Sequence, residues 1–266
     1  MRIAAVQHDI VWEDRDANFE RLAPQVRRAV GAGAELVLLT ETFSTGFSMT
    51  PGIGEPEGGP SAQFLAGQAK EHGVWVGGSC PEIAEDTDGE GGESTGGGRR
   101  ALPYNSFVLA GPDGTAHRYR KINPFTHGGE RERFRAGTDP VTVQIGDLRI
   151  TPFICYDLRF ADVFWQAGPG TDVFLVPANW PAARRNHWRT LLEARAIENQ
   201  AYVVGCNRVG TSGDSIEHAG DSRIVSPMGE LLATAAGVET IVLADVDAAE
   251  VRATRDRLRF LADRRS

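Results

Sequence analysis

The sequence predicts a single α/β domain built on mixed β-sheets. Short apolar segments of strand length recur along its 266 residues, and most of them are separated by longer segments with helical periodicity. Turn sequences separate the others. A chain of this length exceeds the ~100–200 residues of a typical domain, yet layered α/β folds of ~250 residues often form one unit. We therefore expect residues 1–266 to form one domain.

The strands are indicated by eight apolar segments of the right length and composition. These segments are IAAVQ (3–7), ELVLLT (35–40), VWVGGS (74–79), SFVLAG (106–111), RITPFIC (149–155), DVFLVPA (172–178), AYVVGCN (201–207) and TIVLADV (240–246). In addition, alternation from His117 onward indicates a strand that enters a loop at Pro124.

Helices are indicated between several of these strands by apolar residues that repeat at helical spacing. The three helical segments are residues 18–30, 61–72 and 188–200. Each would cover one face of a sheet. Between residues 104 and 151 the strands are instead separated by the turn sequences GPDG and IGDL, which suit antiparallel hairpins. The sheets are therefore expected to combine parallel and antiparallel pairs.

Two segments lack a clear strand or helix pattern. Residues 85–100, EDTDGEGGESTGGGRR, are rich in glycine and have no apolar periodicity, so burial cannot offset their backbone entropy. We expect a flexible surface loop there. Residues 250–266 are highly charged but include Leu258, Phe260 and Leu261. They are expected to form a C-terminal arm, which either extends onto another subunit or stays solvated.

Composition excludes several classes of function. The net charge is −8, and no cluster of Lys and Arg interleaved with aromatic residues is present, so nucleic acid is not an expected partner. The opening MRIAAVQHDI lacks a signal-peptide pattern, and no apolar run reaches ~18 residues, which predicts a cytoplasmic protein without a membrane contact. The three cysteines have no Cys-x-x-Cys spacing, and no nucleotide-binding glycine loop occurs. We expect neither a metal nor another cofactor.

Three residues with reactive or ionisable side chains each lie at the end of a strand segment. Cys155 ends an apolar run at a strand-to-helix elbow, where a helix amino end lowers the pKa of a thiol. Glu41 follows a strand and therefore reaches the edge of the sheet at which α/β proteins bind ligands. Lys121 ends the alternating segment from His117. Taken singly, they also fit a buried thiol, a solvated carboxylate and a surface lysine.

Taken together, these residues carry a specific resemblance. The segments LLTETFSTGF around Glu41, YRKINPF around Lys121 and ICYDLRF around Cys155 resemble the three catalytic blocks of the nitrilase superfamily of carbon–nitrogen hydrolases. The segment 179–210 resembles the omega-amidase-like branch of that superfamily, and the segment 220–230 and the opening IAAVQ are similar to the superfamily as well. The resemblance thus covers nearly the whole chain.

The resemblance implies an α-β-β-α sandwich, a homodimer or higher homo-oligomer, and a Glu-Lys-Cys triad. In THGGERERF, Glu130 resembles the second glutamate that helps to place the lysine and the substrate. The chain departs from the family at Asn123, where a histidine is common. It also departs in the length of the glycine-rich segment.

The three residue types meet the requirements of amide hydrolysis. An amide needs a nucleophile, a carrier that protonates the leaving nitrogen, and a stabiliser for the oxyanion. We assign these roles to Cys155, Glu41 and Lys121, with water as the second substrate. The backbone N–H of Tyr156 is the expected second oxyanion donor, because it follows the nucleophile at the elbow.

The substrate is indicated by residues near the nucleophile. Arg159 lies four residues after Cys155 and would grip a carboxylate, or else form a salt bridge with Asp157 or Asp162. Trp180 follows a strand end and is expected to line the pocket, whereas Arg184 and Arg185 in the same segment either line it as well or face solvent. In the omega-amidase-like branch the matching arginine is associated with acid recognition. The predicted substrate is therefore a small omega-amide of a dicarboxylic acid, such as 2-oxoglutaramate.

Several alternatives remain open at this point. Another amide, a carbamoyl compound, a deaminated peptide or a nitrile would use the same triad. A Cys-His enzyme would draw its base from His127, His187 or His218, none of which lies in a distinctive signature. A non-catalytic scaffold that retained the fold is the last alternative, against which the presence of all three triad residues argues.

Overall fold

The computed structural model describes residues 1–84 and 102–264. The segment 85–100, expected to be a flexible loop, lies outside the described residues. The strands are β1 (Arg2–Gln7), β2 (Leu36–Leu38), β3 (Glu55–Pro56), β4 (Trp75–Ile83), β5 (Tyr104–Ala110), β6 (Ala116–Arg120), β7 (Val143–Ile145), β8 (Leu148–Pro152), β9 (Val173–Ala178), β10 (Tyr202–Asn207), β11 (Val209–Thr211), β12 (Glu217–Val225), β13 (Leu231–Ala236) and β14 (Thr240–Asp245). The helices are α1 (Arg15–Gly31), α2 (Pro60–His72), α3 (Glu130–Arg133), α4 (Ala161–Ala167), α5 (Arg185–Asn199) and α6 (Ala248–Leu258).

These strands form two seven-stranded sheets. The first has the order β14-β1-β2-β4-β5-β6, with β3 paired to β4, and the second has the order β11-β12-β10-β9-β8-β7, with β13 paired to β12. Parallel pairs occupy the middle of each sheet, as in β1–β2 and β9–β10, whereas the turns GPDG and IGDL close antiparallel hairpins. The eight strand segments and three helices expected from the sequence are all present, with ends that differ by a few residues.

The layers follow from the alternation of apolar residues in the strands. In β1, Ile3 and Ala5 join the core between the two sheets, whereas Ala4 and Val6 face the core that contains Leu22 of α1. On the other side of the second sheet, the core between the sheets continues to Trp188 and Leu192 of α5. The order of layers is therefore α-β-β-α, and this prediction is confirmed.

The C-terminal segment differs from the expected extended arm. Residues 248–258 form α6, which begins at Asp247, whose carboxylate accepts a hydrogen bond from the N–H of Ala249 at 2.8 Å. Ala248, Val251 and Thr254, spaced three apart, are buried on its inner face. The expectation of an extended chain is therefore wrong for residues 250–258, because this spacing produces a helical stripe. Contact of this region with another subunit stays a prediction.

No helix within the described ranges has the length and apolar character needed to cross a bilayer.

Candidate active site

The three candidate catalytic residues, Glu41, Lys121 and Cys155, meet where strands of both sheets end. In the first sheet, Glu41 lies three residues beyond β2 and Lys121 directly follows β6. In the second sheet, Cys155 lies three residues beyond β8. Strands β2 and β6 run in the same direction, because β4 is parallel to β2 and two antiparallel pairings lead on to β6. Glu41 and Lys121 are therefore brought to the same edge of their sheet, and all three residues line one cavity.

Lys121 is held between two carboxylates. Its Nζ donates to Oε1 of Glu41 at 2.8 Å and to Oε2 of Glu130 at 2.8 Å. The side-chain amide of Asn105 donates to both carboxylates, at 3.0 Å to Glu41 and 2.9 Å to Glu130. The Lys121 and Glu41 side chains are 1% exposed and that of Glu130 is 0% exposed. The charged groups are thus removed from water but paired and hydrogen-bonded, as buried charges must be.

Charge interactions set the protonation of this cluster. Burial alone would lower the pKa of Lys121, but the carboxylates of Glu130 and Glu41 outweigh that effect and raise it. Lys121 therefore stays an ammonium at neutral pH. Burial raises the pKa of Glu130, and the charge of Lys121 opposes that rise without cancelling it.

The Glu41 carboxylate is oriented by a strained turn. Its second oxygen, Oε2, accepts the backbone N–H of Asn179 at 2.9 Å, and the side-chain amide of Asn179 donates to the Glu41 carbonyl at 2.6 Å. The next residue, Thr42, has φ of +41°, although left-handed backbone is unfavourable for a β-branched residue. Ser79 Oγ accepts the Thr42 N–H at 2.8 Å. Such strain persists where surrounding contacts fix the backbone, and it is concentrated at functional sites.

Cys155 occupies a sharp elbow between β8 and a short helical turn. Its φ is +44°, and a 3-10 turn over Cys155–Arg159 follows in place of the expected helix, with α4 beginning only at Ala161. The Asp157 carboxylate closes the turn, because its Oδ2 accepts the N–H of Ile154 at 3.0 Å. The elbow presents the half-buried Cys155 side chain to the cavity.

Asp157 also connects the Cys155 elbow to the segment that carries Lys121. Its Oδ2 accepts the hydroxyl of Tyr119 at 2.7 Å, and its Oδ1 accepts the backbone and side-chain N–H groups of Asn123 at 2.9 and 3.0 Å. Asn123, the departure from the family pattern, is therefore a partner of a buried carboxylate beside Cys155. Neither residue was assigned this role from the sequence.

Replacing Asp157 by asparagine is expected to destabilise the elbow. The new amide side chain would keep one acceptor oxygen and would turn an NH₂ group toward donors, so we expect a loss of about 2–4 kcal/mol in the free energy of unfolding. Urea unfolding measures this loss. Asp162→Asn is the matched control, because Asp162 is exposed on α4, and it should change the free energy by less than about 0.5 kcal/mol. Equal small changes in both variants would contradict the assignment.

The resting thiol differs from the expectation of a lowered pKa. Burial and the neighbouring Glu41 carboxylate raise the pKa of Cys155 well above its usual value, although the charge of Lys121 opposes them. The elbow offers a short 3-10 turn instead of a long helix dipole. Cys155 therefore rests as a neutral thiol beside the Glu41 carboxylate.

The cavity above these residues has a volume of about 630 Å³. The expected binding residues Tyr156, Arg159 and Trp180 all line it. Tyr156 is the second residue of the 3-10 turn Cys155–Arg159, in which the N–H of Asp157 bonds to the carbonyl of Ile154. The N–H of Tyr156 precedes that bond, among the first N–H groups of the turn, which have no partner within it. Its position is therefore compatible with the expected role of second oxyanion donor.

Arg159 is held against aromatic rings and not by a carboxylate. Its guanidinium carbon lies 4.7 Å from the ring centroid of Trp180 and 5.9 Å from that of Tyr156. Its Nη2 lies 3.3 Å from Nδ1 of His187. Burial and the nearby charge of Arg184 lower the pKa of Arg159. Within the described ranges no ion pair joins Arg159 to an acidic residue, so the alternative salt bridges to Asp157 and Asp162 do not form.

Of the three histidines that would serve a Cys-His enzyme, His127 and His218 line the same cavity as Cys155. His127 packs edge-on against Phe125, and His187 contacts Arg159. His218 is buried, and burial lowers its pKa to about 4. In the part of the chain that the structure describes, none of the three forms a hydrogen bond with Cys155.

Two further residues of the site, Asn105 and Asn179, were not found from the sequence. Asn179 directly follows β9, so the strand-end argument that identified Glu41 also applies to it. Asn105 lies inside β5, where no sequence signal distinguishes it.

The described residues contain no group of three or more His, Cys, Asp or Glu side chains placed to hold a metal ion.

Comparison with known proteins places the chain in a family. The model of the carbon-nitrogen hydrolase family matches residues 2–256. Omega-amidase YafV of Escherichia coli is 36% identical over 97% of this chain and 94% of its own length. A 2-oxoglutaramate amidase of Bacillus subtilis is 28% identical over 98% of this chain and 96% of its own length. Among solved structures, XC1258 of Xanthomonas campestris, a CN-hydrolase superfamily protein, matches with a TM-score of 0.89 and 32% identity, covering 100% of this chain and 97% of that one.

The fold, the convergence of Glu41, Lys121 and Cys155, and the length of these matches lead to one conclusion. The chain belongs to the carbon-nitrogen hydrolase family of the nitrilase superfamily, and it is an enzyme of the amidase type.

Proposed function

We propose that this amidase releases ammonia from the omega-amide of a small dicarboxylic acid, with 2-oxoglutaramate as the best representative. The observation that carries the proposal is the guanidinium of Arg159, which has no carboxylate partner among the described residues and shares a cavity with Cys155 and Glu41. A free carboxylate on the substrate would supply the missing partner. The names of the relatives from Escherichia coli and Bacillus subtilis support the same substrate class.

The first half-reaction is acylation of Cys155. Glu41 takes the proton of the neutral thiol as the sulfur attacks the amide carbon, and the carbonyl oxygen becomes an oxyanion. Nζ of Lys121 contacts Oε1 of Glu41 at 2.8 Å and both carboxylate oxygens of Glu130, at 3.1 and 2.8 Å. One N–H shared between the two oxygens of Glu130 leaves the third donor of the ammonium to stabilise the oxyanion. The N–H of Tyr156 donates from the elbow. When the tetrahedral intermediate collapses, Glu41 gives its proton to the nitrogen, ammonia leaves, and a thioester remains.

The second half-reaction is hydrolysis of that thioester. Glu41 is again a carboxylate and now takes a proton from water, which attacks the thioester carbon. The same oxyanion donors act a second time. Collapse of the intermediate breaks the carbon–sulfur bond, and the proton held by Glu41 returns to the sulfur. The products are the dicarboxylic acid and the resting thiol.

Glu130 positions Lys121 in this scheme and does not move a proton. It holds Nζ through Oε2 at 2.8 Å and is itself fixed by the N–H of Phe125, which donates to Oε2 at 2.6 Å. The ammonium therefore keeps one place through both half-reactions. This fixed donor is the kind of preorganised charge that lowers the barrier of acyl transfer.

The proposed enzyme works in the cytoplasm as a homodimer or higher homo-oligomer. Support for association comes from large apolar side chains that stay exposed on the single chain, including Ile197 of α5 and Phe260 after α6. Light scattering of the purified protein checks the oligomeric state.

A substrate panel tests the proposed function. Steady-state ammonia release should give the highest kcat/KM with 2-oxoglutaramate, compared with a simple amide, a carbamoyl compound, a deaminated peptide and a nitrile. Arg159→Met should lower kcat/KM for 2-oxoglutaramate by about 10²-fold, since a charge-assisted contact with the carboxylate is lost. The simple amide, which has no carboxylate, should be affected little. A panel led by another substrate, or an equal effect of Arg159→Met on both amides, would contradict the proposal.

A further inference from the structure

Arg184 is a second cation of the cavity, although no sequence pattern separates it from its neighbour Arg185. Arg184 ends the 3-10 turn Ala182–Arg184, and its carbonyl accepts the indole N–H of Trp180 at 2.9 Å. Its guanidinium carbon lies 5.7 Å from the ring centroid of Phe125, and it lines the same 630 Å³ cavity as Cys155. Arg185 instead pairs with Asp221 through Nε at 2.9 Å and Nη2 at 3.0 Å.

Arg159 and Arg184 contact two neighbouring aromatic rings. The ring centroids of Phe125 and Tyr156 are 4.8 Å apart. The Arg184 guanidinium lies over the Phe125 ring, and that of Arg159 lies over the Tyr156 ring. Their charges repel each other, as the lowered pKa of Arg159 reflects after the larger effect of burial. Two like charges in one partly buried pocket favour an anion between them.

The acidic residues of the cavity do not neutralise this pair. Oε1 of Glu41 already accepts a hydrogen bond from Nζ of Lys121 at 2.8 Å. Asp214 accepts a hydrogen bond from Ser212 and acts electrostatically on Arg208. Within residues 1–84 and 102–264, neither Arg159 nor Arg184 forms an ion pair with a carboxylate. An anionic ligand in the cavity would give both arginines a partner.

We propose that Arg184 is a specificity-determining residue that, together with Arg159, binds the 2-oxo-carboxylate end of the substrate. This assignment rests on the proposed function and names the group that the pocket recognises. A 2-oxo acid presents three acceptor oxygens on two adjacent carbons, whereas one guanidinium fork pairs with two oxygens. Two guanidinium groups can therefore bind all three oxygens of a 2-oxo acid. A monoamide that carries a carboxylate but no 2-oxo group offers only two of these oxygens.

The test compares 2-oxoglutaramate with glutaramate, the same monoamide without the 2-oxo group. Arg184→Met should lower kcat/KM for 2-oxoglutaramate by about 10- to 100-fold, chiefly through KM, and should affect glutaramate by less than about threefold. Arg184→Lys should restore part of the loss, because it keeps the charge but not the fork. The thermal midpoint should hardly change, since no hydrogen bond of the Arg184 side chain joins it to the described residues.

Arg27→Met is the control, because Arg27 is exposed on α1 and its loss changes the net charge equally. It should leave both substrates unaffected. An unchanged 2-oxoglutaramate activity in Arg184→Met, or an equal loss with both substrates, would overturn the assignment of Arg184. A wild-type enzyme that does not hydrolyse 2-oxoglutaramate would instead refute the proposed function, so the two failures are distinguishable.

Discussion

Cys155→Ala should abolish turnover while leaving the thermal midpoint of unfolding nearly unchanged. The thiol is the nucleophile of the proposed mechanism, so its loss removes both half-reactions, and kcat should fall by about 10³-fold or more. The side chain is only half-buried and faces the cavity, and alanine meets the same backbone requirement at φ of +44° as cysteine does. Ammonia release and a thermal melt of the same preparation measure the two effects.

The other two cysteines supply controls with the opposite result. Cys206 is fully buried in β10, and its Sγ donates to the carbonyl oxygens of Val6 and Leu38 at 3.3 and 3.4 Å. Cys206→Ala should therefore keep its activity but lose about 1–2 kcal/mol of stability, and Cys80→Ala should behave similarly. More than a few per cent of residual activity in Cys155→Ala would exclude it as the nucleophile.

Glu41→Gln should cripple both half-reactions while preserving the shape of the site. The glutamine keeps one oxygen, which can accept from Lys121 or from the N–H of Asn179, but it cannot exchange a proton. We expect kcat to fall by about 10²–10⁴-fold, the usual contribution of a general acid–base. Rapid-quench experiments check each step separately, because ammonia release reports acylation and release of the acid reports deacylation. An unchanged rate of either step would contradict a shared proton carrier.

The meeting of Glu41, Lys121 and Cys155 in one cavity was predictable from the sequence, because each residue lies at or just beyond the end of a strand. An apolar strand followed by a single chemical residue identifies Glu41 and Cys155, and parallel strands bring such residues to one edge. Their identification as a set also drew on the resemblance of three short blocks. The central strands of the two sheets were predictable as well, because buried parallel strands such as β9 and β10 are continuous apolar runs in the sequence.

What the sequence did not reveal depends on contacts between distant segments. The bonds of Asp157 to Tyr119 and Asn123 were not predicted, because these partners belong to another segment of the chain. The raised pKa of the thiol depends on burial beside Glu41, which no local pattern records. Strand β12 was missed because its buried residues include Asp221, Ser222 and Arg223 and so do not form an apolar run.

A glutamate base in place of a histidine is the centre of the proposed mechanism, and comparing four variants at saturating 2-oxoglutaramate tests it most directly. The measurement is kcat for Glu41→Gln beside single alanine substitutions of His127, His187 and His218. We expect a loss of about 10²–10⁴-fold for Glu41→Gln alone, with each histidine variant within about tenfold of the wild type. A mild Glu41→Gln together with an inactive histidine variant would contradict the glutamate base.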